Sequence, residues 1–375
     1  MRNRNHWSLY GAGALAFTIG VAAAQDAAAP ILNHTFEEND GGWQAMPPGA
    51  AVVSVTHDTA QVKGGKGALQ FAYALKKGEM SLLMLPTPDM VLSKARSFKF
   101  WVKTDHAAPL AFTLHEKDGG HYNALFSAPK GVWQQVELST ADFSLDVGKN
   151  SPKDPDGKLD MDQVEAVGII DVAQLFVQGD DALAAAFGIS QGPRSLYLDN
   201  FSASSTPVLP ASTLKSGEGL IDTFAHPQLG WLAAGEVQLS HATGKPLEGS
   251  GMQAKYHQSP AKFVGFTKLI PAASLAGATK LSFSVASEKS AKLVVQVEEK
   301  GGGKYNTIVE LPGNSGRADL SLNFADFKPA GDSHDDNNKL DVDQVFQVLF
   351  LDSTGMAENT DADNTLWINN IKAVR

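Results

Sequence analysis

The stretch HEKDGGHYN at residues 115–123 returns as EEKGGGKYN at residues 298–306, a shift of 183 residues (299 minus 116). Apolar and polar residues alternate on both sides of the glycines in each copy. A period of two indicates a half-buried strand, and two such strands joined by glycines predict a β-hairpin. The sequence therefore predicts one hairpin built twice.

Further alternating segments recur in the same order in the two halves of the chain. The predicted strands of the first half lie at 69–73, 98–102, 136–138 and 196–201, and their counterparts at 252–256, 281–285, 320–322 and 366–371. No helix of crossover length separates them, which disfavours a parallel sheet. We predict an all-β fold of two tandem antiparallel β-sandwich domains of the jelly-roll type.

The predicted domains are bounded by segments of different composition. The first domain is expected at 31–205 and the second at 220–375, and the Ser-, Thr- and Pro-rich segment 206–219 is expected to be a linker.

The N-terminal segment 1–24 follows the pattern of a secretory signal peptide. Arg2 and Arg4 precede an apolar run over about residues 9–21, and three alanines at 22–24 follow. The run is too short to span a bilayer comfortably, and a buried helix is the alternative interpretation. We expect a secreted or periplasmic protein.

Composition excludes several classes of protein. The 375 residues are 43% hydrophobic and carry a formal charge of -10, so no basic field is available to bind nucleic acid. The chain has no cysteine, which excludes disulfides and thiolate chemistry. No later segment is apolar enough for membrane insertion.

Neither a nucleophile-elbow motif nor a zinc-binding histidine pattern predicts an enzyme here. Residues 188–192 read GISQG, which matches a nucleophile elbow, but a Pro and a predicted strand follow instead of the helix which that motif requires. The ten histidines form no zinc-binding His-x-x-x-His spacing. The sequence therefore predicts a non-catalytic protein. A hydrolytic enzyme with paired carboxylates is a further alternative, because the spacing of such carboxylates is spatial and is not read from the sequence.

The segment DPDGKLD at residues 154–160 is rich in calcium-type ligands. If Gly157 were the loop glycine of an EF-hand, the first and last ligand positions would fall on Pro152 and Gln163, which carry no carboxylate. The favoured interpretation is an Asp-Gly turn followed by Asp160 as the cap of a short helical turn.

Several short motifs in a fixed order carry a resemblance to a known family. They are Phe-Glu (36–37), Gly-Trp (42–43), Gly-Gly-Lys-Gly-Ala-Leu (64–69), Phe-Trp-Val-Lys (100–103), Trp-Gln-Gln-Val (133–136) and Leu-Asp-Asn (198–200). This order resembles family 11 carbohydrate-binding modules and the related galactose-binding-like domains of the complex I intermediate-associated type. The resemblance implies a jelly roll, a concave sheet face that holds glycan, and a structural calcium ion.

The resemblance also implies which residues bind the calcium ion. In such modules the ion is held partly by an acid after the opening Phe and by the Asp of the closing Leu-Asp-Asn, which are Glu37 and Asp199 here. The second half has Ala225 and Asn369 at these positions. Because calcium prefers charged oxygen ligands, we expect the ion in the first domain only.

Outward-facing aromatic and polar residues are the candidates for ligand binding. Parity places Trp101 off the core, where it either stacks on a sugar or packs under a loop. Thr113 and His115 share one strand face and His121 and Asn123 share another, so these residues are expected to line a polar groove. Parity places Tyr122 on the core side, which favours a structural hydrogen bond over ligand contact. The predicted ligand-binding set is Trp101, Thr113, His115, Tyr122, Asn123 and Trp133.

The sequence thus predicts a non-catalytic carbohydrate-binding protein with calcium in its first domain and a polysaccharide or oligosaccharide as its partner. The alternative is a structural or protein-interaction protein on the same scaffold. A fold by itself does not decide between them.

Overall fold

The computed structural model describes residues 29–146, 152–178, 184, 189–208, 220–271, 273–314 and 316–375. The predicted signal peptide and most of the predicted linker lie outside these residues. Within them, 24 β-strands form four antiparallel sheets of six strands each. The predicted all-β sandwich fold is confirmed.

The first twelve strands form the N-terminal sandwich. They are β1 (Leu32–His34), β2 (Gln44–Met46), β3 (Val52–Thr56), β4 (Ala68–Leu75), β5 (Leu82–Pro86), β6 (Ser97–Thr104), β7 (Ala108–Glu116), β8 (His121–Ala128), β9 (Gln134–Ser139), β10 (Ser144–Leu145), β11 (Val164–Asp171) and β12 (Gly192–Ser204). Its back sheet has the order β3-β4-β12-β6-β9, with β1 paired to β12. Its front sheet has the order β10-β8-β7-β11-β5-β2.

The other twelve strands form the C-terminal sandwich. They are β13 (Leu220–Asp222), β14 (Leu232–Ala234), β15 (Val237–Thr243), β16 (Ser250–Gln258), β17 (Val264–Leu269), β18 (Lys280–Ser287), β19 (Ala291–Glu299), β20 (Lys304–Leu311), β21 (Ala318–Asn323), β22 (Lys328–Pro329), β23 (Val345–Asp352) and β24 (Ala362–Val374). Its back sheet is β15-β16-β24-β18-β21 with β13 on β24, and its front sheet is β14-β17-β23-β19-β20-β22. Every strand has a counterpart in the N-terminal sandwich.

Helical structure in the described residues is short. Helix α1 (Ala173–Gln178) follows β11, and α2 (Thr354–Glu358) follows β23 at the corresponding place. Single 3₁₀ turns lie at Thr59–Gln61, Thr140–Asp142, Phe324–Asp326 and Val342–Gln344. No helix of the described residues is long and apolar enough to cross a membrane.

The duplicated hairpin is present in both sandwiches. His115 pairs with His121 across β7 and β8, and Glu298 pairs with Lys304 across β19 and β20. Gly119 and Gly302 have φ angles of 112° and 93° in the two turns. Such values are accessible to glycine at little cost, which explains the glycines of the repeated motif.

The core of each sandwich lies between its two sheets. In the N-terminal sandwich, Phe112 of the front sheet packs against Phe98 and Phe100 of the back sheet at centroid distances of 5.1 and 5.3 Å. The C-terminal core contains Trp231, Phe266 and Phe350 instead. Alternate positions supply these side chains, because successive residues of a strand point to opposite faces.

A break in strand pairing shapes one end of the N-terminal sandwich. Along β12 the register with β6 runs through Asp199 and resumes at Ser202, so Asn200 lies in the interrupted stretch with a φ of 51°. Asp199 is completely buried there, beside the loop that contains Lys63 and Gly64.

Candidate binding cleft and cation sites

The outer face of the N-terminal front sheet carries a polar cluster. Phe112 and Tyr122 point into the core, so their strand neighbours point outward. Thr113 lies directly opposite Asn123, and His115 lies opposite His121. The structure thus brings together Thr113, His115 and Asn123 of the predicted ligand-binding set, and His121, which the sequence assigns to the same groove, lies beside them.

The two histidines form a stacked pair on this face. Their ring centroids are 3.9 Å apart and the planes differ by 19°. Burial, with a smaller contribution from His121, lowers the pKa of His115 to about 4. Burial also lowers the pKa of His121, against the opposing charge of Asp146. Neutral imidazole offers one hydrogen-bond donor and one acceptor, as a sugar hydroxyl requires.

The C-terminal front sheet presents the equivalent positions with other side chains. Gln296 replaces Thr113, Glu298 replaces His115 and Lys304 replaces His121, each 183 residues later. The Gln296 amide donates to Glu298 Oε1 at 2.9 Å, and Lys304 Nζ bonds Asp332 Oδ2 at 2.5 Å. A charged network therefore stands where the N-terminal sandwich has neutral imidazoles.

The outer faces of the two front sheets line one cavity of about 1190 Å³. Its polar lining includes Thr113, His115, His121, Asn123, Thr267, Gln296, Glu298, Lys304 and Gln347, and its apolar lining includes Ala111, Leu125, Leu349 and Leu351. The sandwiches meet beside it, where the Ala233 N–H donates to Ser127 Oγ at 2.7 Å. We call this cavity the cleft.

The C-terminal residues of the cleft were missed in the sequence, although the repeat shift and strand parity together could have identified Gln296.

The other predicted ligand-binding residues lie elsewhere. Tyr122 is buried in the core and its hydroxyl donates to Asp154, as parity predicts. Trp101 lies on β6 in the back sheet, where Lys63 Nζ is 4.1 Å from the ring centroid. Trp133 directly precedes β9 of the same sheet. The structure therefore does not join Trp101 and Trp133 to the groove around Thr113.

Glu37 and Asp199, the predicted calcium ligands, face the same loop. Asp199 Oδ2 accepts from the N–H groups of Lys63 and Gly64 at 2.9 and 3.0 Å, and Glu37 Oε2 accepts from Lys66 N at 2.7 Å. Asp199 Oδ1 is buried without a hydrogen-bond partner among the described residues. Burial and the nearby Glu37 charge raise the pKa of Asp199. An orphaned buried carboxylate oxygen beside a second carboxylate fits a cation.

The C-terminal sandwich has a different residue at the position of Asp199. Asn369 stands in place of Asp199 and its amide donates to the Glu248 carbonyl at 2.8 Å. A neutral amide can bond the neighbouring loop directly, so no buried charge needs a counter-ion there.

A second acidic group lies at the tip of the duplicated hairpin in the N-terminal sandwich. Carboxylate oxygens of Glu116, Asp118 and Asp154 lie within 4.8 Å of one another, so these residues could hold a metal ion. Burial raises the pKa of Glu116 to about 7, and the charges of Asp118 and Asp154 add to this. The contribution of Asp118 was missed in the sequence, because its partners approach only in the folded chain.

The segment after Asp154 also differs from the sequence interpretation. The Asp-Gly turn is present, since Asp154 Oδ1 accepts from Asp156 N and Gly157 N at 2.9 and 3.0 Å. A short turn over 160–163 follows, but Asp160 contributes its backbone N–H, which donates to Glu116 Oε1 at 2.5 Å. Asp154 is therefore the residue that organises this loop.

The nucleophile-like motif has no catalytic geometry in its described part. Ser190 lies in irregular structure two residues before β12 begins at Gly192, and its carbonyl accepts from Arg194. A strand follows where an elbow requires a helix.

Comparisons with known proteins find similarity among solved structures. No family model matches the chain, and no curated protein matches it. The family 11 carbohydrate-binding module of a cellulosomal cellulase from Clostridium thermocellum is 19% identical over 43% of this chain and 95% of that chain, with a TM-score of 0.35. A family 11 module from the same organism, solved with a β-1,3-1,4-mixed-linked tetrasaccharide, is 20% identical over 42% and 94%, also with a TM-score of 0.35.

A tandem pair is also similar to the chain. The two family 22 modules at the N-terminus of a Paenibacillus barcinonensis protein, Xyn10C, are 14% identical over 94% of this chain and 99% of that chain, with a TM-score of 0.29. The family 11 resemblance noted in the sequence thus recurs among solved structures, and the tandem family 22 pair accompanies it.

Proposed function

We propose that this chain is a secreted or periplasmic, non-catalytic protein that binds a polysaccharide or oligosaccharide in the cleft between its two front sheets. One observation carries the proposal. The outward polar residues of the N-terminal front sheet, Thr113, His115 and Asn123, line a cavity that the equivalent face of the C-terminal sandwich closes from the other side. The sequence resemblance to family 11 modules supports the same class of ligand.

The chemistry of the lining suits an uncharged sugar chain. Sugar rings present C–H faces and hydroxyl edges, and buried hydroxyls must keep hydrogen-bond partners. Ala111 and Leu125 supply apolar surface beside the hydroxyl, amide and imidazole groups of Thr113, Asn123 and His115. The cavity volume of about 1190 Å³ exceeds the range of roughly 300–1,000 Å³ usual for small-molecule pockets, as a chain of several sugars would require.

Substitution in the cleft is expected to weaken glycan binding. In His115→Ala and Asn123→Ala variants, a sugar hydroxyl would lose its partner, at a cost of about 1–3 kcal/mol, which is roughly a 5- to 150-fold loss of affinity. Isothermal titration against soluble glucans, xylans, galactans and mannans measures this loss.

Trp101→Ala provides the matched control for these variants. Trp101 lies on the back sheet, so its removal should leave the affinity unchanged. If Trp101→Ala loses affinity and the cleft variants do not, the ligand binds on the back sheet. If no glycan binds the wild-type protein, carbohydrate binding is rejected.

A specific feature of the cleft favours protein interaction as the second candidate function. Leu175 and Leu269 line the cavity with 55% and 46% of their surface exposed. Exposed apolar residues beside a groove are typical of protein contacts. This function would be favoured if the wild-type protein retained a protein partner, the Leu269→Ser variant released that partner, and no glycan bound.

We further propose that Glu37 and Asp199 hold a structural calcium ion in the N-terminal sandwich. The unpartnered Asp199 Oδ1 supports this proposal, because a cation would satisfy it. The Asp199→Asn variant copies Asn369 and is expected to bind one calcium ion fewer in native mass spectrometry. In chelator it should be at least as stable as the wild type, since it removes a buried negative charge that has no counter-ion. Unchanged calcium stoichiometry would contradict the proposal.

A further inference from the structure

We propose that Glu116, Asp118 and Asp154 form a calcium site at the tip of the β7–β8 hairpin, separate from Glu37 and Asp199. Glu116 ends β7 and Asp118 lies in the turn before β8. Asp154 belongs to the loop that leads to β11. The ion would therefore join the hairpin tip to that loop.

The spacing of the three carboxylates suits calcium. Their oxygens lie within 4.8 Å of one another. Calcium binds oxygen at about 2.3–2.6 Å, so two ligands on opposite sides of one ion are separated by roughly 4.6–5.2 Å. A single ion can thus contact all three side chains with small adjustments of their torsion angles.

The buried end of this group contains an oxygen without a partner. Glu116 is only 3% exposed, and its Oε2 has no hydrogen-bond partner among the described residues. This oxygen lies close to the backbone of Gly120 in the turn. If Gly120 carried a side chain, its Cβ would be only 2.0 Å from Glu116 Oε2. Leaving a buried carboxylate oxygen unpaired is costly, and a bound cation removes that cost.

Hydrogen bonds orient two of the carboxylates without using the unpartnered oxygen. Asp160 N donates to Glu116 Oε1, which fixes the glutamate and leaves Oε2 free. The Tyr122 hydroxyl donates to Asp154 Oδ2, and the N–H groups of Asp156 and Gly157 donate to Asp154 Oδ1. The site is therefore organised before an ion arrives, which reduces the ordering cost of binding.

The negative charge of the group is not compensated by a side chain. Over the described ranges, no lysine, arginine or histidine forms an ion pair with Glu116, Asp118 or Asp154. Two neighbouring lysines form ion pairs with other carboxylates, Lys117 with Asp89 and Lys158 with Asp156. Three clustered carboxylates without a counter-charge favour an external cation.

The ligand types select calcium over other metals. All three ligands are carboxylates, whereas zinc prefers nitrogen and sulfur. Asp118 is exposed, so the outer side of the site is open to water ligands. Magnesium demands a near-ideal octahedron, while calcium accepts the irregular arrangement expected from two separate loops.

The C-terminal sandwich provides an internal comparison. It repeats the frame of the site, since Tyr305 donates to Asp335 and Asp341 N donates to Glu299. Gly301 stands at the position of Asp118, 183 residues later, so the third carboxylate is missing. Among the described residues, only the N-terminal group meets the spacing for a metal ion.

The experiment is a calcium titration of the full chain by calorimetry and native mass spectrometry, with calcium chloride alone as the probe. It is done in the Asp199→Asn background, so that the site of Glu37 and Asp199 does not contribute. The Asp118→Gly variant has the same residue as the C-terminal sandwich at this position, Gly301. Because Asp118 is exposed, misfolding would be a poor explanation for a loss of calcium binding. We expect this substitution to lower calcium affinity at least 10-fold and to remove one bound ion.

Two further variants complete the test. Glu116→Gln keeps an oxygen for Asp160 N but loses the charge, and it should abolish binding at this site. Asp156→Asn alters an exposed carboxylate of the same loop outside the group and should leave affinity unchanged. Equal calcium affinity and stoichiometry in Asp118→Gly and the unsubstituted background would overturn the proposal, as would an absence of binding in that background.

Discussion

The Asp222→Ala variant is expected to lose roughly 3–5 kcal/mol of unfolding free energy, because it leaves the Lys268 ammonium buried without a partner. Lys268 Nζ lies 2.9 Å from Asp222 Oδ2, and the two side chains are 3% and 6% exposed. The same carboxylate accepts from Trp231 Nε1 at 2.9 Å and from Phe224 N at 2.7 Å. Urea denaturation followed by tryptophan fluorescence measures the loss.

The N-terminal sandwich supplies the control for this prediction. Strand registers place Leu85 where the C-terminal sandwich has Lys268, since Leu85 pairs with Val167 and Lys268 with Val348. Trp43 Nε1 has no hydrogen-bond partner among the described residues, yet Trp43 belongs to the buried core of that sandwich. The double variant Asp222→Ala, Lys268→Leu should therefore recover most of the lost stability. A double variant as unstable as Asp222→Ala would show that the lone buried charge is not the cause.

Phe112→Ala is expected to destabilise the N-terminal sandwich by about 3–5 kcal/mol, through lost burial and the cavity left behind. The Phe112 side chain is fully buried, and its ring lies 5.1 to 6.0 Å from the rings of Phe98, Phe100, Phe143 and Phe201. Phe98, Phe100 and Phe201 lie on the back sheet, and Phe143 directly precedes β10. These rings surround Phe112, so the space left by the substitution cannot close easily. The shift of the urea midpoint measures the effect.

Val52→Ala is the matched control for Phe112→Ala. Val52 lies in the back sheet of the same sandwich but is 63% exposed, so its truncation should change stability by no more than about 0.5 kcal/mol. Hydrogen exchange should show faster opening of β6, β7 and β12 in Phe112→Ala alone. Equal effects of the two substitutions would contradict the proposed role of the aromatic cluster.

Much of the fold was predictable because strand signals are local. The alternation around residues 115–123 indicated the hairpin, and the same spacing at 298–306 indicated its copy. Parity placed Tyr122 in the core and Thr113 outside it, and both placements are found. Helix α1 was not predicted, since its six residues are too few for a helical period to be recognised.

The candidate sites were predictable only in part. Thr113, His115 and Asn123 could be grouped from parity because they lie on adjacent strands of one hairpin. Trp101 could not be assigned to a sheet, and the structure places it opposite to that group. Asp118 and Asp154 are separated by 36 residues (154 minus 118), so nothing in local spacing indicated that they meet.

The amino-acid sequence by itself determined the strands, the repeated hairpin and the face of each strand that enters a core, because side-chain alternation depends only on neighbouring residues. Tertiary structure alone decided which strands share a sheet, how the two front sheets enclose the cleft, and which carboxylates of distant loops converge. These contacts depend on sheet pairing and on packing between segments far apart in the chain, and local sequence patterns do not encode them.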